Sequence, residues 1–293
     1  MQRVFLGSEA LAVGAVTRHG LARWFRRLHP DVYVPKFEHL TLHDNLVGAW
    51  LWSGRRGVIA GIAASALHGA QWVDSDISVE LLSRKNPAPQ GIISRGERIA
   101  GDECMAITGI PVTTPARTAF DMARRLRRGQ ALARLDALAR ATCFNADDVS
   151  NLATRYHGAR GLKQLRQLIP LVDNGAESPR ESWLRLILID AGFPIPRTQI
   201  PVYLDRSLFA VLDMGWPEYH VAAEYDGEVH RLVRSSYVKD QYRARTLPQL
   251  GWLNIRVIKE DSVVSVINRV ADALRSRGWQ GQPVRPKPSS VRR

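Results

Sequence analysis

Cysteine is nearly absent from the 293-residue chain, which has only Cys104 and Cys143. Two thiols are too few for a disulfide framework or a thiolate metal site, and fit a reducing cytosol. Both are expected in the core. Long apolar runs are lacking too: the longest candidate, GAWLWSGRRGVIAGIAASALHGA, is broken by Arg55 and Arg56 and falls short of a membrane span. The N-terminal apolar run is interrupted by Glu9, and no convincing cleavage signal follows it, so no signal peptide is read. A soluble cytoplasmic protein is expected, with no membrane partner and no small organic cofactor. No internal repeat is evident.

Acidic residues are the other scarcity. Lys and Arg number 41 against 28 Asp and Glu, a formal net charge of +13, which points to an anionic partner such as nucleic acid. Residues 1–176 hold 23 basic and 15 acidic groups, 177–280 hold 14 and 13, and 281–293 hold 4 and none. The positive surplus therefore lies before residue 177 and in the tail. At 45% hydrophobic residues the chain can bury a large core, in roughly two domains.

The segment SEALAVGAVTRHGLARWFRRLHPDVYVP reads as two short helices around a glycine turn, then a strand after Pro30. This is the outline of a winged helix-turn-helix over residues 1–40, presenting Arg18, Arg23, Arg26 and Arg27 to phosphate or a groove. Residues 41–174 read as a small mixed α/β domain with a helical connector. It holds TLHDNLVGAWLWS, GVIAG and IAASALHGA as helix, strand and helix, then strands in DISVELLS, GIISRG and GIPVTTP. His68, alone at the end of an alanine-rich helix, reads as a packing or capping residue. From Pro115 a helix runs through ARTAFDMARRLRRGQALARLDALARAT, with apolar residues at three- and four-residue steps. Arg124, Arg125, Arg127 and Arg128 are either its solvated end or a phosphate patch.

The stretch DNGAESPRES marks a boundary, and a further domain is expected over 175–279. There Ser178 caps a helix with Pro179 in its first turn. Strands TQIPVYL, LFAVLDMG and HVAAEYDG follow, the last two forming a hairpin through Gly215–Glu218. A helix in SSYVKDQYRARTLPQL, a strand in WLNIRVIKE and a closing helix complete an αβββαβ pattern with an extra helix. Residues 280–293, Pro-rich and basic, are expected to be disordered. The fold class is thus mixed α/β.

In this last domain the hairpin gathers Asp213, Glu224 and Asp226. Glu224 and Asp226, two apart on a strand, share a face at roughly 7 Å, where two carboxylates repel by about 2 kcal/mol at an effective dielectric near 20. A cation would resolve the conflict. An all-oxygen cluster of this kind suits Mg²⁺ or Mn²⁺, which can activate water against a phosphodiester. The alternative is pairing of these acids with Arg197, Arg243 or Lys259.

Across ESPRES, FAVLDMG, VAAEYDGEVH, YVKDQYRARTL and GWLNIRVIKED, residues 175–275 resemble the Vsr-like branch of the PD-(D/E)XK nucleases. Across TRHGLARWFRRLHPDVYVP, GVIAGIAASALHGA and GIPVTTPARTAFDMA, the earlier region is similar to AbiEi-type antitoxins, in which a winged helix precedes an α/β domain. The nuclease resemblance implies a restriction-endonuclease-like core cleaving DNA with Mg²⁺ or Mn²⁺. Its catalytic residues would be Glu181, Asp213, Glu224 and Asp226, the last three binding the metal. Where that superfamily usually has lysine, this chain has Asp226; Lys239 or Lys259 could replace the lysine. His230 would be the general base, with Asp240 orienting it and Arg243 binding phosphate. The antitoxin resemblance implies a non-catalytic repressor of its own operon that neutralises a nucleotidyltransferase toxin. The expected partners are DNA and, on the second reading, a toxin protein.

Overall fold

The computed structural model describes residues 3–226 and 234–284, with the backbone alone for 234–240. His230, the side chains of Lys239 and Asp240, and tail residues 285–293 lie outside the described residues. The architecture is mixed α/β, as the sequence predicts, and the chain divides into two compact units, one ending at Val172 and the other starting at Asp173.

In the first unit β1 (Phe5–Leu6) precedes α1 (Gly7–Ala12) and α2 (Arg18–Trp24). The Thr17 hydroxyl caps α2, accepting from the Gly20 N–H at 3.0 Å, which satisfies an otherwise orphaned helix donor. The helix stops at Trp24 instead of running on through FRRLH. Those residues form β2 (Phe25–His29), paired antiparallel with β3 (Val32–Pro35), so that Arg26 faces Val34 and Arg27 faces Tyr33 in register. The pairing prevails over helix propensity because it buries Val32 and Val34 completely. The strand order is β1-β3-β2, and Phe5, Ala10 and Leu21 form a small core between this sheet and the two helices.

Next come α3 (Leu42–Trp52), β4 (Val58–Ala60), α4 (Gly61–Leu67), β5 (Val79–Leu82), β6 (Ile92–Arg95), β7 (Cys104–Ile107) and β8 (Ile110–Thr113). A reciprocal capping box between Thr41 and Asp44 starts α3. The strands form a five-stranded sheet in the order β6-β5-β4-β8-β7. The edge strand β7 carries no clear sequence signal. His68 donates to the Thr113 carbonyl at 2.7 Å, tying the end of α4 to β8 as a packing residue. The helix expected from Pro115 is two helices, α5 (Pro115–Arg125) and α6 (Arg128–Thr142), because Leu126 and Arg127 are extended. The unit ends with α7 (Ala146–Arg155) and α8 (Leu162–Leu168). Gly161 enters α8 at φ +86°, and a Cβ there would overlap the Arg124 carbonyl, so glycine permits the close approach of α8 to α5. Neither cysteine is in the core: Cys104 is half-buried and Cys143, left-handed at the end of α6, is exposed.

The second unit runs α9 (Pro179–Asp190), β9 (Arg197–Leu204), β10 (Ser207–Trp216), β11 (Val221–Tyr225), α10 (Arg234–Gln249), β12 (Leu253–Val257) and α11 (Val263–Ser276). Its sheet has the order β12-β11-β10-β9, antiparallel except for the parallel pair β11 and β12. A parallel neighbour needs a crossover, and α10 lies in that connection. Leu184 and Leu188 of α9 and Val266, Ile267 and Val270 of α11 pack with Met214, Trp216 and Ala223. A second core joins Leu247 of α10 and Trp252 to Ile200, Val202, Leu212 and Ala222. Strand alternation therefore sends Ala222, and with it Glu224, toward the α10 side.

Candidate functional site

Three groups of charged residues stand out. On the winged segment Arg18, Arg23 and Arg27 are exposed and Arg26 is half-buried. Arg18, on the first turn of α2, and Arg26 and Arg27, on β2, have no carboxylate partner among the described residues. Arg23 lies over the exposed ring of Trp24 at 4.9 Å. The four arginines are thus divided between a helix and a strand, and their charge is left to solvent or a ligand.

The second group was not foreseen. Arg124 and Arg125 are neither a solvated helix end nor a phosphate patch; they belong to a buried ionic network centred on Arg117. The Arg117 guanidinium, fully buried, contacts Asp121 at 3.1 Å and pairs with the buried Glu103. Burial works against its charge, but Asp121 and Glu103 more than offset this and hold its pKa above the ordinary value. Arg125 reaches Glu97 at 2.7 Å and also pairs with Glu80, and Arg124 reaches Asp121 at 3.0 Å. Arg155 contacts Glu103 at 2.6 Å, and the Tyr156 hydroxyl donates to the same carboxylate at 2.8 Å. The i, i+4 spacing of Arg117 and Asp121 was the available sequence signal. Glu80, Glu97 and Glu103 lie too far upstream for spacing to reveal them. Beside the network is an open cleft of about 520 Å³ lined by Arg98, Arg124, Arg155, His157 and Arg160, with Glu97.

The third group is the carboxylate pocket of the second unit. Ser178 caps α9 and holds Glu181 at its N-terminus: the Glu181 carboxylate accepts from the Ser178 hydroxyl and the Glu177 N–H, each at 2.8 Å. The hairpin register Met214 to Ala223 sets Asp213 beside Glu224, and Asp213 accepts from the Tyr225 N–H at 3.0 Å. Burial, then the charges of Glu224 and Glu181, raise the pKa of Asp213 to about 7. Asp213, Glu224 and Glu181 are therefore one electrostatic group. Asp226, past the end of β11, has Arg256 at 4.0 Å. Glu224 is buried and occupied on both oxygens. Arg243 of α10 pairs with one and the Asn254 amide of β12 donates to the other, so the alternative of arginine pairing holds for Glu224.

Of the expected metal ligands Asp213, Glu224 and Asp226, Glu224 has both oxygens engaged by nitrogen donors, and among the described residues no group of three His, Cys, Asp or Glu side chains is set to hold a metal. No helix among the described residues is long and apolar enough to cross a membrane.

Residues 58–171 match the family model of the AbiEi antitoxin C-terminal domain, a stretch that contains the whole Arg117 network and follows the winged segment. The chain is also similar to two curated mycobacterial proteins. These are uncharacterized protein MT2308 of Mycobacterium tuberculosis strain CDC 1551 / Oshkosh and uncharacterized protein Rv2248 of strain ATCC 25618 / H37Rv. Each is 34% identical over 161 residues, which is 55% of this chain and 59% of the relative. The chain thus spans about six tenths of the length of these relatives.

Proposed function

We propose that the chain is a DNA-binding regulator of the toxin–antitoxin kind, acting in the cytoplasm. The winged segment holds operator DNA, and the region 58–171 carries the contact with a toxin protein. One juxtaposition carries this reading: a helix and hairpin whose arginines have no carboxylate partner among the described residues precede a stretch that matches the AbiEi antitoxin C-terminal domain. In that stretch the arginines of α5 are turned inward to carboxylates, whereas Arg18, Arg23 and Arg27 of α2 and β2 are exposed. Phosphate contacts from arginine position such a segment on a duplex, and base contacts then specify the sequence.

The expected result is binding of the full chain to DNA upstream of its own reading frame, with affinity falling steeply as salt rises. Each lost phosphate contact removes about 0.9 from the slope of log K against log salt. The triple variant Arg18→Ala, Arg23→Ala, Arg27→Ala should therefore have a slope shallower by roughly 3. Fluorescence anisotropy across a salt series measures this, and an unchanged slope would remove the winged segment from the interface. Neutralisation of a toxin encoded beside the gene, on co-expression, is the matching expectation for the second partner.

A second reading is a DNA endonuclease using Mg²⁺ or Mn²⁺. It is favoured by the convergence of Asp213, Glu224 and Glu181 in a unit with the αβββαβ order of the PD-(D/E)XK resemblance. Asp213, Glu224 and Asp226 would hold the ion, and Arg243 would first have to release Glu224. On this reading plasmid nicking in Mn²⁺ disappears with chelator and in Glu224→Ala, while DNA affinity is kept. Equal inertness of wild type and variant on duplex, nicked, mismatched and single-stranded DNA removes it.

A further inference from the structure

We propose that Arg243 is the built-in counterion of the Asp213–Glu224–Glu181 pocket, filling the role a divalent cation has in a nuclease-like fold, so that the wild-type chain excludes the ion and loss of the arginine uncovers a latent oxygen-lined site. The inference goes beyond the regulatory reading, and its failure would leave DNA binding by the winged segment untouched.

The argument starts from charge. Three carboxyl groups are brought together by two strands and a helix N-terminus, and such a group must be neutralised by protons, a metal or a base. The contact seen in the pocket is with a base: Glu224 is matched by the Arg243 guanidinium. The arginine is thus close to the acids that would otherwise call for an ion.

The manner of contact supports a counterion over a framework pair. Arg243 Nη2 alone bonds both Glu224 and the Val211 carbonyl, the latter at 2.7 Å, and its Nε is buried without an acceptor. A two-nitrogen fork, the geometry that makes arginine–carboxylate pairs specific, is not used. Beside it, the Asn254 amide that donates to Glu224 has its own Oδ1 buried without a donor. Hence the residue that bonds Glu224 also carries an unused oxygen of the kind that hard cations accept.

The test is direct Mn²⁺ binding to the full chain at pH 8, read as loss of the free-ion electron paramagnetic resonance signal, with circular dichroism melts to report folding. Wild type is expected to bind no tighter than millimolar. Arg243→Gln and Arg243→Ala are expected to bind at least about tenfold tighter, a small part of what a unit charge a few ångströms away contributes at an effective dielectric near 20. Adding Asp213→Asn to either should abolish the gain. Submillimolar binding by wild type overturns the inference and favours the nuclease reading. A folded Arg243 variant without the gain, or a gain that survives Asp213→Asn, also overturns it. So does failure of both Arg243 variants to fold, since the arginine would then be part of the framework.

Discussion

Arg117→Ala is expected to destabilise the N-terminal unit by about 3–5 kcal/mol, the cost of removing one member of a buried ion pair. For a unit of this size that is a fall of roughly 6–20 °C in melting temperature. The reason is what remains. Asp121 and Glu103 are both almost fully buried, and without the guanidinium two carboxylates would share a site closed to water, next to Glu97. Arg124, Arg125 and Arg155 compensate only partly, because their own bonds are divided among Glu80, Glu97 and Asp102. Arg55→Ala is the control: it breaks a solvent-exposed pair with Glu9, and exposed pairs contribute little. Scanning calorimetry of the three proteins measures the difference, and equal melting of Arg117→Ala and wild type would show that the network is dispensable.

The second large effect is on pH dependence. Asp213 has a folded pKa of about 7 against an ordinary 3.8, burial being the main cause and Glu224 and Glu181 the next. A raised pKa means that the folded state binds the proton more tightly than the unfolded chain does. The associated stability is fully present below pH 4 and is lost as pH rises through 7. Three pKa units at 1.36 kcal/mol each amount to on the order of 4 kcal/mol. Asp213→Asn, which keeps an acceptor for the Tyr225 N–H, should flatten that slope and melt above wild type at pH 8. Urea titrations at pH 5 and pH 8 read it out, and parallel pH profiles for wild type and Asp213→Asn would mean that the carboxyl is ionised throughout.

These two sites were unequally legible in the sequence. The approach of Asp213 to Glu224 follows from a hairpin, where a short turn fixes the register, so spacing along the chain sufficed. Glu181 could be added only through a family resemblance, because its contact depends on how α9 packs. The start of α9 itself was plain, since Ser178, Pro179 and Glu181 form a capping sequence. The Arg117 network was hidden for the opposite reason. A run such as ARRLRR looks like a solvated face when read alone; besides Asp121 on the same helix, its carboxylate partners are Glu80 of β5 and Glu97 after β6, while Arg117 takes Glu103 of the 3₁₀ turn Gly101–Glu103. The same limit applies to ARWFRRLHP, which has no helix stop signal before Pro30. The partner strand β3 decides where α2 ends, and a neighbour in space leaves no mark on local composition.

The strand β9 stands at one edge of its sheet, with β10 as its only neighbour among the described residues. An edge is a row of backbone groups able to template another chain, and soluble proteins blunt it. Here Pro201, opposite Val211 in register, sits within that row and has no N–H to offer. Proline is tolerated in a strand where its missing donor would have pointed away from the sheet, so the gap falls on the outward side. A foreign strand laid along β9 would lose a hydrogen bond at the middle of the contact. The edge is thereby a poorer template for another chain, through one residue that takes no part in either charged site.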